Sequence, residues 1–364
     1  MRIGTDGRKI PEAAKRGPIG SLELGHELGA EGLFFRTVLE MSPTLDSGYL
    51  REIRQRADEL GMYLETGLGK ANPYANPEAP ELRAIGDGDM LLGFRRMMEA
   101  SAAIGIRELW SATANYKGQY FGRFAYDRFR TDVDWADQLE ATRKFLMKLA
   151  PIARDLGVHI NLETHEEITS FELVRLVEAV GPDALGIVFD THNVLQRVEH
   201  PVWAAKRLAP YVRQTHVKDG VALRAPGGLA SQIRDCGTGM IDLKTILPIL
   251  AAANPNLNLS HENQDMTASP ITRHGMIEIA NPQFLAGHPD LTVEEFAAYT
   301  DLVDCFQQQV DKGEQPTLEQ VAAGPFDFDA VCASIKRSLG YLRQVCTEAD
   351  LPLEAAASAR SQAA

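Results

Sequence analysis

Apolar residues come in short compact runs that alternate with longer stretches of helical period. Residues 3–5, 33–37, 62–65, 108–111, 159–163, 185–190, 212–217 and 257–261 read as strands. Between them, helical spacing covers 21–30, 49–60, 90–104, 135–156, 170–180, 203–208 and 241–252. The clearest helix carries Trp135, Leu139, Phe145, Leu146, Leu149, Ile152 and Leu156 on one face, and Gly157 closes it. Gly61 and Gly105 stop two others in the same way.

Strand–helix units repeated in this way predict an α/β fold with a parallel sheet, and eight of them can close into a (β/α)₈ TIM barrel. An open doubly wound sheet is the rival. It normally carries a glycine-rich phosphate loop after its first strand. The segment Thr5-Asp6-Gly7-Arg8-Lys9-Ile10-Pro11 has no such fingerprint.

The barrel accounts for residues 1–265, and 266–350 read as a loop and C-terminal helical extension packed on it. Residues 270–289 are rich in turn signals. Thr292-x-x-Glu295 is a capping box opening a helix with Phe296, Tyr299, Leu302, Val303, Phe306 and Val310 on one face. A second helix is expected over 328–345. Together they should complete the last helical layer and add a lid or an oligomer contact. The tail 351–364 is small, polar and expected to be flexible. Residues 114–130, aromatic and glycine-bearing, form a long excursion after strand four that suits a binding element or an oligomer contact.

Composition narrows the picture. The chain has 364 residues, 45% of them hydrophobic, enough for one large core. A net charge of −13 argues against a nucleic-acid partner. No apolar run is long enough for a membrane span, and the first residues read as a strand, not a signal peptide. Cys236, Cys305, Cys332 and Cys346 are scattered, which fits a reducing cytoplasm without disulfides or structural zinc.

In such barrels the reacting groups sit at the C-terminal ends of strands. Strands five to eight end in Glu163, Asp190, His216 and Glu262, so four ligand-type side chains should face one mouth. Taken singly, each has an ordinary explanation: a salt bridge, a helix cap, a structural histidine. Jointly, three carboxylates repel unless a cation neutralises them, and oxygen ligands with one imidazole suit manganese, magnesium, cobalt or zinc. His165 lies on the same side as Glu163 and reads as a general acid or base, or as a partner of the ligand set. His192 is a ligand neighbour or a substrate contact. Lys218 suits a developing oxyanion or is a loop cation. Glu65 and Arg36 suit substrate hydroxyls or an ion pair at the mouth. Trp110 suits a wall against a sugar face or the core, and Phe35 reads as packing. Gly237-Thr238-Gly239 marks a turn more than a phosphate loop.

Asn161-Leu162-Glu163, Phe189-Asp190-Thr191, His216-Val217-Lys218-Asp219, Gly237-Thr238-Gly239 and His261-Glu262-Asn263 together resemble the xylose isomerase-like superfamily of sugar isomerases and epimerases. The resemblance covers residues 1–265. It implies that Glu163, Asp190, His216 and Glu262 bind one divalent metal ion, manganese foremost. It also implies that Glu163 and Glu262 move a proton through an enediolate. Two positions depart from the ketose 3-epimerase pattern: His192 stands two residues after the aspartate instead of three, and Ala222 replaces an arginine. Glu163-Thr164-His165 is similar to the large (alpha) subunit of C-glycoside deglycosidases. That likeness implies His165 as the base, a 3-oxo-glucoside substrate and a small β-sandwich subunit as partner.

The expected function is therefore proton abstraction next to a carbonyl of a sugar or oxo-sugar, ending in isomerisation, epimerisation or elimination. The substrate would be a small carbohydrate or glycoside, and the protein an oligomer. An abasic-site endonuclease on the same barrel would need extra histidines and a basic groove. A non-catalytic metal-binding subunit is the third reading.

Overall fold

The computed structural model describes residues 1–114, 117, 119–262 and 275–354. In chain order the strands are β1 (Ile3–Asp6), β2 (Gly32–Phe34), β3 (Tyr63–Gly67), β4 (Glu108–Ser111), β5 (His159–Glu163), β6 (Leu185–Asp190) and β7 (Val212–His216). They continue with β8 (Asp219–Ala225), β9 (Gly228–Arg234), β10 (Leu259–His261) and β11 (Met276–Ile277). Eight of them form one parallel sheet in the order β10-β1-β2-β3-β4-β5-β6-β7. Val217 closes the circle. It bridges His261, donates to the Ser260 carbonyl at 2.8 Å and accepts from Glu262 N at 3.1 Å. This is a TIM barrel, as the strand count implies.

Strand alternation divides the apolar side chains between two cores. Leu33, Leu109, Ile160, Ile187 and Leu259 face outward into the layer shared with the helices. Phe34, Trp110, Ala112 and Val188 form a separate inner cluster. Polar side chains fill the rest of the interior and pair with one another in part. Asn161 donates to Gln214 at 2.9 Å, and Ser260 donates to Glu65 at 2.8 Å.

The helical layer consists of Ala13–Glu27, Ser47–Glu59, Met90–Ala103, Trp135–Leu156, Ser170–Val180, Pro201–Leu208 and Leu243–Ala253, followed by Phe328–Glu348. The last packs on β1 and on Leu243–Ala253. Just beyond it, the chain is hydrogen-bonded to the N-terminus, Glu354 N donating to the Met1 carbonyl at 2.9 Å. The C-terminal segment thus completes the ring of helices.

Several boundaries differ from the sequence reading. Helical structure begins at Ala13, ahead of the expected start, and is interrupted at Gly17 (φ 66°) before resuming from Pro18. β2 stops at Phe34, and the chain turns into the short helix Val38–Met41. β3 runs on to Gly67, where a Cβ would meet the carbonyls of Arg36 and Trp110, so Glu65 lies inside the strand. The largest difference is a second sheet, β11-β9-β8, antiparallel and absent from the sequence reading. It follows β7 directly and carries helix Val293–Asp311 against β8. Within 270–289, residues 270–274 lie outside the described set; β11 and helix Pro282–Ala286 occupy part of the rest.

Candidate metal centre

Glu163, Asp190 and His216 are the last residues of β5, β6 and β7, and Glu262 directly follows β10. All four are buried, and one potential ligand atom from each lies within 4.8 Å of the others. His216 Nδ1 is 2.7 Å from Glu163 Oε1 and 3.4 Å from Glu262 Oε2. The other oxygen of Glu163 accepts from Trp110 Nε1 at 2.8 Å. Asp190 Oδ1 accepts from the backbone N–H groups of His192 and Asn193, both at 3.0 Å. Its Oδ2 turns to Lys218 Nζ at 2.8 Å, and the same ammonium is 3.0 Å from Glu262 Oε2. Glu262 Oε1 accepts from Arg36 Nη2 at 3.1 Å and lies 3.6 Å from Lys9 Nζ.

This packing sets the charges. Burial alone would raise all three carboxyl groups. For Glu163, His216 and Arg36 outweigh burial and hold it well below the usual range. For Glu262, Lys218, Arg36, His216 and Lys9 do the same. Asp190 keeps the upward shift, to about 6: burial dominates, and Glu163 and Glu262 work against Lys218. His216 is raised, since its glutamate neighbours outweigh burial.

The donor set fits a divalent cation. Asp190 Oδ2, Glu262 Oε2 and His216 Nε2 are buried and lack a hydrogen-bond partner. Lys218 Nζ contacts both oxygens and His216 Nδ1 also lies near Glu262 Oε2, ion-pair contacts without hydrogen-bond geometry. Such polar atoms are costly to bury unless charge or a ligand answers them. Three carboxylate residues and one imidazole suit a hard or borderline ion.

Next to this cluster lies a cavity of about 620 Å³ whose lining includes Arg8, Arg36, Lys70, Trp110 and His165. His165 Nδ1 is 2.5 Å from Glu167 Oε2 and 3.0 Å from Glu166 Oε2, and Thr113 donates to Glu167 Oε1 at 2.6 Å. Burial lowers the imidazole pKa, but the two glutamates outweigh it and raise it. Lys70 and Arg36 both lie over the Trp110 ring, at 4.9 Å and 5.3 Å from its centroid. Burial, aided by Arg36, pulls Lys70 down to about 8.

Arg36, Lys218, Trp110 and His165 thus gather at or beside the cluster. Glu65 does not: its carboxylate is held by Asn258 at 3.1 Å and Ser260 at 2.8 Å. His192 turns its ring toward the second sheet, with Nε2 3.0 Å from Ser231 Oγ, and burial lowers its pKa to about 3. Sequence reasoning missed Lys9, Lys70 and Glu167. Lys70 had a signal, since Leu68-Gly69-Lys70 follows β3 directly. The Gly237-Thr238-Gly239 loop wraps a carboxylate: Asp219 accepts from Gly220, Gly237, Gly239 and Ile241 N–H groups at 2.8–3.2 Å.

In the excursion after β4, residues 115, 116 and 118 lie outside the described set, as does Asn263. The remainder is tied down by ion pairs of Lys117 with Asp127, Arg123 with Glu278 and Arg128 with Glu172. Among the described residues no helix is long and apolar enough to cross a membrane.

A family model described as the xylose isomerase-like TIM barrel matches residues 22–299. The chain is 31% identical over 200 residues to the uncharacterized protein YihM of Escherichia coli, a match spanning 54% of this chain and 60% of that protein. It is 24% identical over 240 residues to 3-oxo-isoapionate decarboxylase of Pectobacterium atrosepticum, covering 65% and 74% of the two chains. In fold it is similar to D-psicose 3-epimerase from Clostridium cellulolyticum. There the TM-score is 0.56 at 16% identity, over 84% of this chain and 99% of the other.

Proposed function

This chain belongs to the xylose isomerase-like TIM barrel family, and on that premise we propose that it is a divalent-metal-dependent enzyme of sugar isomerase or epimerase type. It removes a proton next to a carbonyl of a sugar or oxo-sugar. The observation that carries the reading is the convergence of Glu163, Asp190, His216 and Glu262 within 4.8 Å beside an open cavity. Those four residues would hold the ion, manganese first, with magnesium, cobalt and zinc as alternatives. When bound, the ion supplies Lewis-acid polarisation of a substrate carbonyl.

The chain's own groups do the rest. Trp110 fixes one oxygen of Glu163. Arg36 and Lys9 hold Glu262 ionised at the cavity side. A carboxylate held so low is a weak proton acceptor unless its cations are drawn away by substrate. Lys218 offers an ammonium to oxygen that gains negative charge.

A second reading is favoured by His165. With Nδ1 held by Glu167 and the ring on the cavity wall, Nε2 is the nitrogen left to take a proton. Two flanking carboxylates make it a stronger base. That arrangement suits β-elimination from a 3-oxo-C-glucoside, the reaction of a deglycosidase alpha subunit with a small β subunit. The relative named 3-oxo-isoapionate decarboxylase also carries an oxo group in the substrate it is named for.

The test is metal content by plasma mass spectrometry on wild type, Glu163→Gln, Asp190→Ala and His216→Ala. About one ion per chain, lost in the variants, supports the site. No ion after manganese loading overturns the proposal. Solvent deuterium entering a keto-sugar without bond cleavage then favours isomerase or epimerase chemistry, and release of a phenolic aglycone favours elimination.

A further inference from the structure

The lining of the cavity beside the cluster carries Arg8, Arg36 and Lys70 against Glu40 and Glu81, in a chain whose net charge is −13. Most of its cations are answered. Arg36 has Glu262 at 3.1 Å and Asp6 at 3.8 Å, and Arg8 has Glu40 at 3.7 Å. Lys70 differs. Among the described residues no carboxylate lies within ion-pair distance of its ammonium, whose one close contact is the Trp110 face at 4.9 Å. Arg36 shares that face. Two like charges share one indole, and the carboxylates of Glu167, Glu163 and Glu166 that act on Lys70 do so from beyond ion-pair distance. Half-buried and without an ion-pair partner among the described residues, a lysine on a cavity wall is a site waiting for an anion.

We propose that the substrate carries a carboxylate, held by Lys70 above the Trp110 face, so that the enzyme acts on a sugar acid. This deepens the functional reading and rests on it. One ammonium matches the single charge of a carboxylate. A phosphate dianion calls for more donors than Lys70 supplies, because Arg36 and Arg8 are already engaged with Glu262, Asp6 and Glu40.

The test is calorimetric binding of D-gluconate, glucitol and glucitol 6-phosphate to the manganese-loaded protein, in wild type, Lys70→Met and Lys70→Arg. Metal content is measured on every sample. In wild type, gluconate should bind about tenfold or more tightly than glucitol, the ratio expected of one charge-assisted contact. Lys70→Met should bring the two within about threefold of each other at unchanged metal content, and Lys70→Arg should keep most of the preference. Three results overturn the proposal: equal binding in wild type, a preference that survives Lys70→Met, or glucitol 6-phosphate as the tightest of the three. A wild type without metal sinks the functional reading instead, so the two failures are distinguishable.

Discussion

Replacing Glu65 by Gln removes an ionisable group from the barrel interior while keeping its shape. The side chain is buried, with Asn258 Nδ2 at 3.1 Å and Ser260 Oγ at 2.8 Å. Burial pushes its pKa up to about 7, against the pull of those hydrogen bonds and of His216. In an unfolded chain a glutamic acid titrates near ~4.3. Between these values the native state keeps a proton that the unfolded chain releases. Below the window both states are protonated and folding loses nothing. As pH rises through it, stability falls, and above about 7 the full penalty is present. The full separation corresponds to about 4 kcal/mol, of which about 3 falls between pH ~5 and pH ~8. Urea denaturation at steps from about pH 5 to about pH 8 reads it out directly. The stability of Glu65→Gln relative to wild type should grow across that range by about 3 kcal/mol. Glu199 and Asp219, also raised into this window by burial, are common to both proteins and cancel in the difference. A difference that stays flat with pH would mean that Glu65 is ionised throughout, and the argument from burial would be wrong.

Lys218→Met should destabilise the metal-free protein by about 3–5 kcal/mol, because Asp190 and Glu262 lose the ammonium between them. Adding manganese should restore more stability to this variant than to wild type. Thermal unfolding with and without the ion checks both, and an unchanged metal-free melting temperature contradicts it. Asp219→Ala should cost at least ~3 kcal/mol in denaturant titration, since the N–H groups of Gly220, Gly237, Gly239 and Ile241 lose their shared acceptor. A loss below ~1 kcal/mol would show that water replaces the carboxylate. Gly220→Ala places a Cβ 2.4 Å from the His192 ring and 2.7 Å from the Gln232 carbonyl, so a loss of about 1–3 kcal/mol is expected. Equal stability of Gly220→Ala and wild type would mean that the second sheet yields at that point.

The barrel and its four strand-end groups were legible because burial and function write different signals into one strand. An apolar run such as Leu185-Gly186-Ile187-Val188-Phe189 sits in the wall, and the first charged residue after it, Asp190, marks where the wall meets the mouth. The rule fails where a charge lies inside a strand. Glu65 looked terminal, but Thr66 and Gly67 still pair with Leu109 and Trp110, which carries its side chain into the interior. The second sheet went unread because only Val217 and Lys218 separate β8 from β7. Its signal was present: Pro226-Gly227-Gly228 is a turn between alternating runs, Val221 and Leu223 on one side, Leu229 and Ser231 on the other. Lys9, Lys70 and Glu167 were missed for another reason. They lie on loops after β1, β3 and β5, and only the closed barrel says which loop faces which.

Trp110 joins the halves of the site that sequence order keeps apart. It reads equally as a sugar platform or as core, and the structure buries it in the barrel's inner cluster with Phe34, Ala112 and Val188. Yet its edge donates Nε1–H to Glu163, and its ring has Arg36 and Lys70 over it. An indole alone among side chains combines an N–H donor at its rim with a broad π face for cations. Arg36 continues from that face to Glu262. A rigid ring therefore spans the carboxylates that converge on the candidate ion and the cation that awaits an anion. Lys70, on the loop after β3, is thereby tied to the cluster through a ring packed inside the barrel. A substrate bridging the two would meet both its charged contact and its reacting carbonyl at a spacing fixed by the fold, which is what orientation-based catalysis requires.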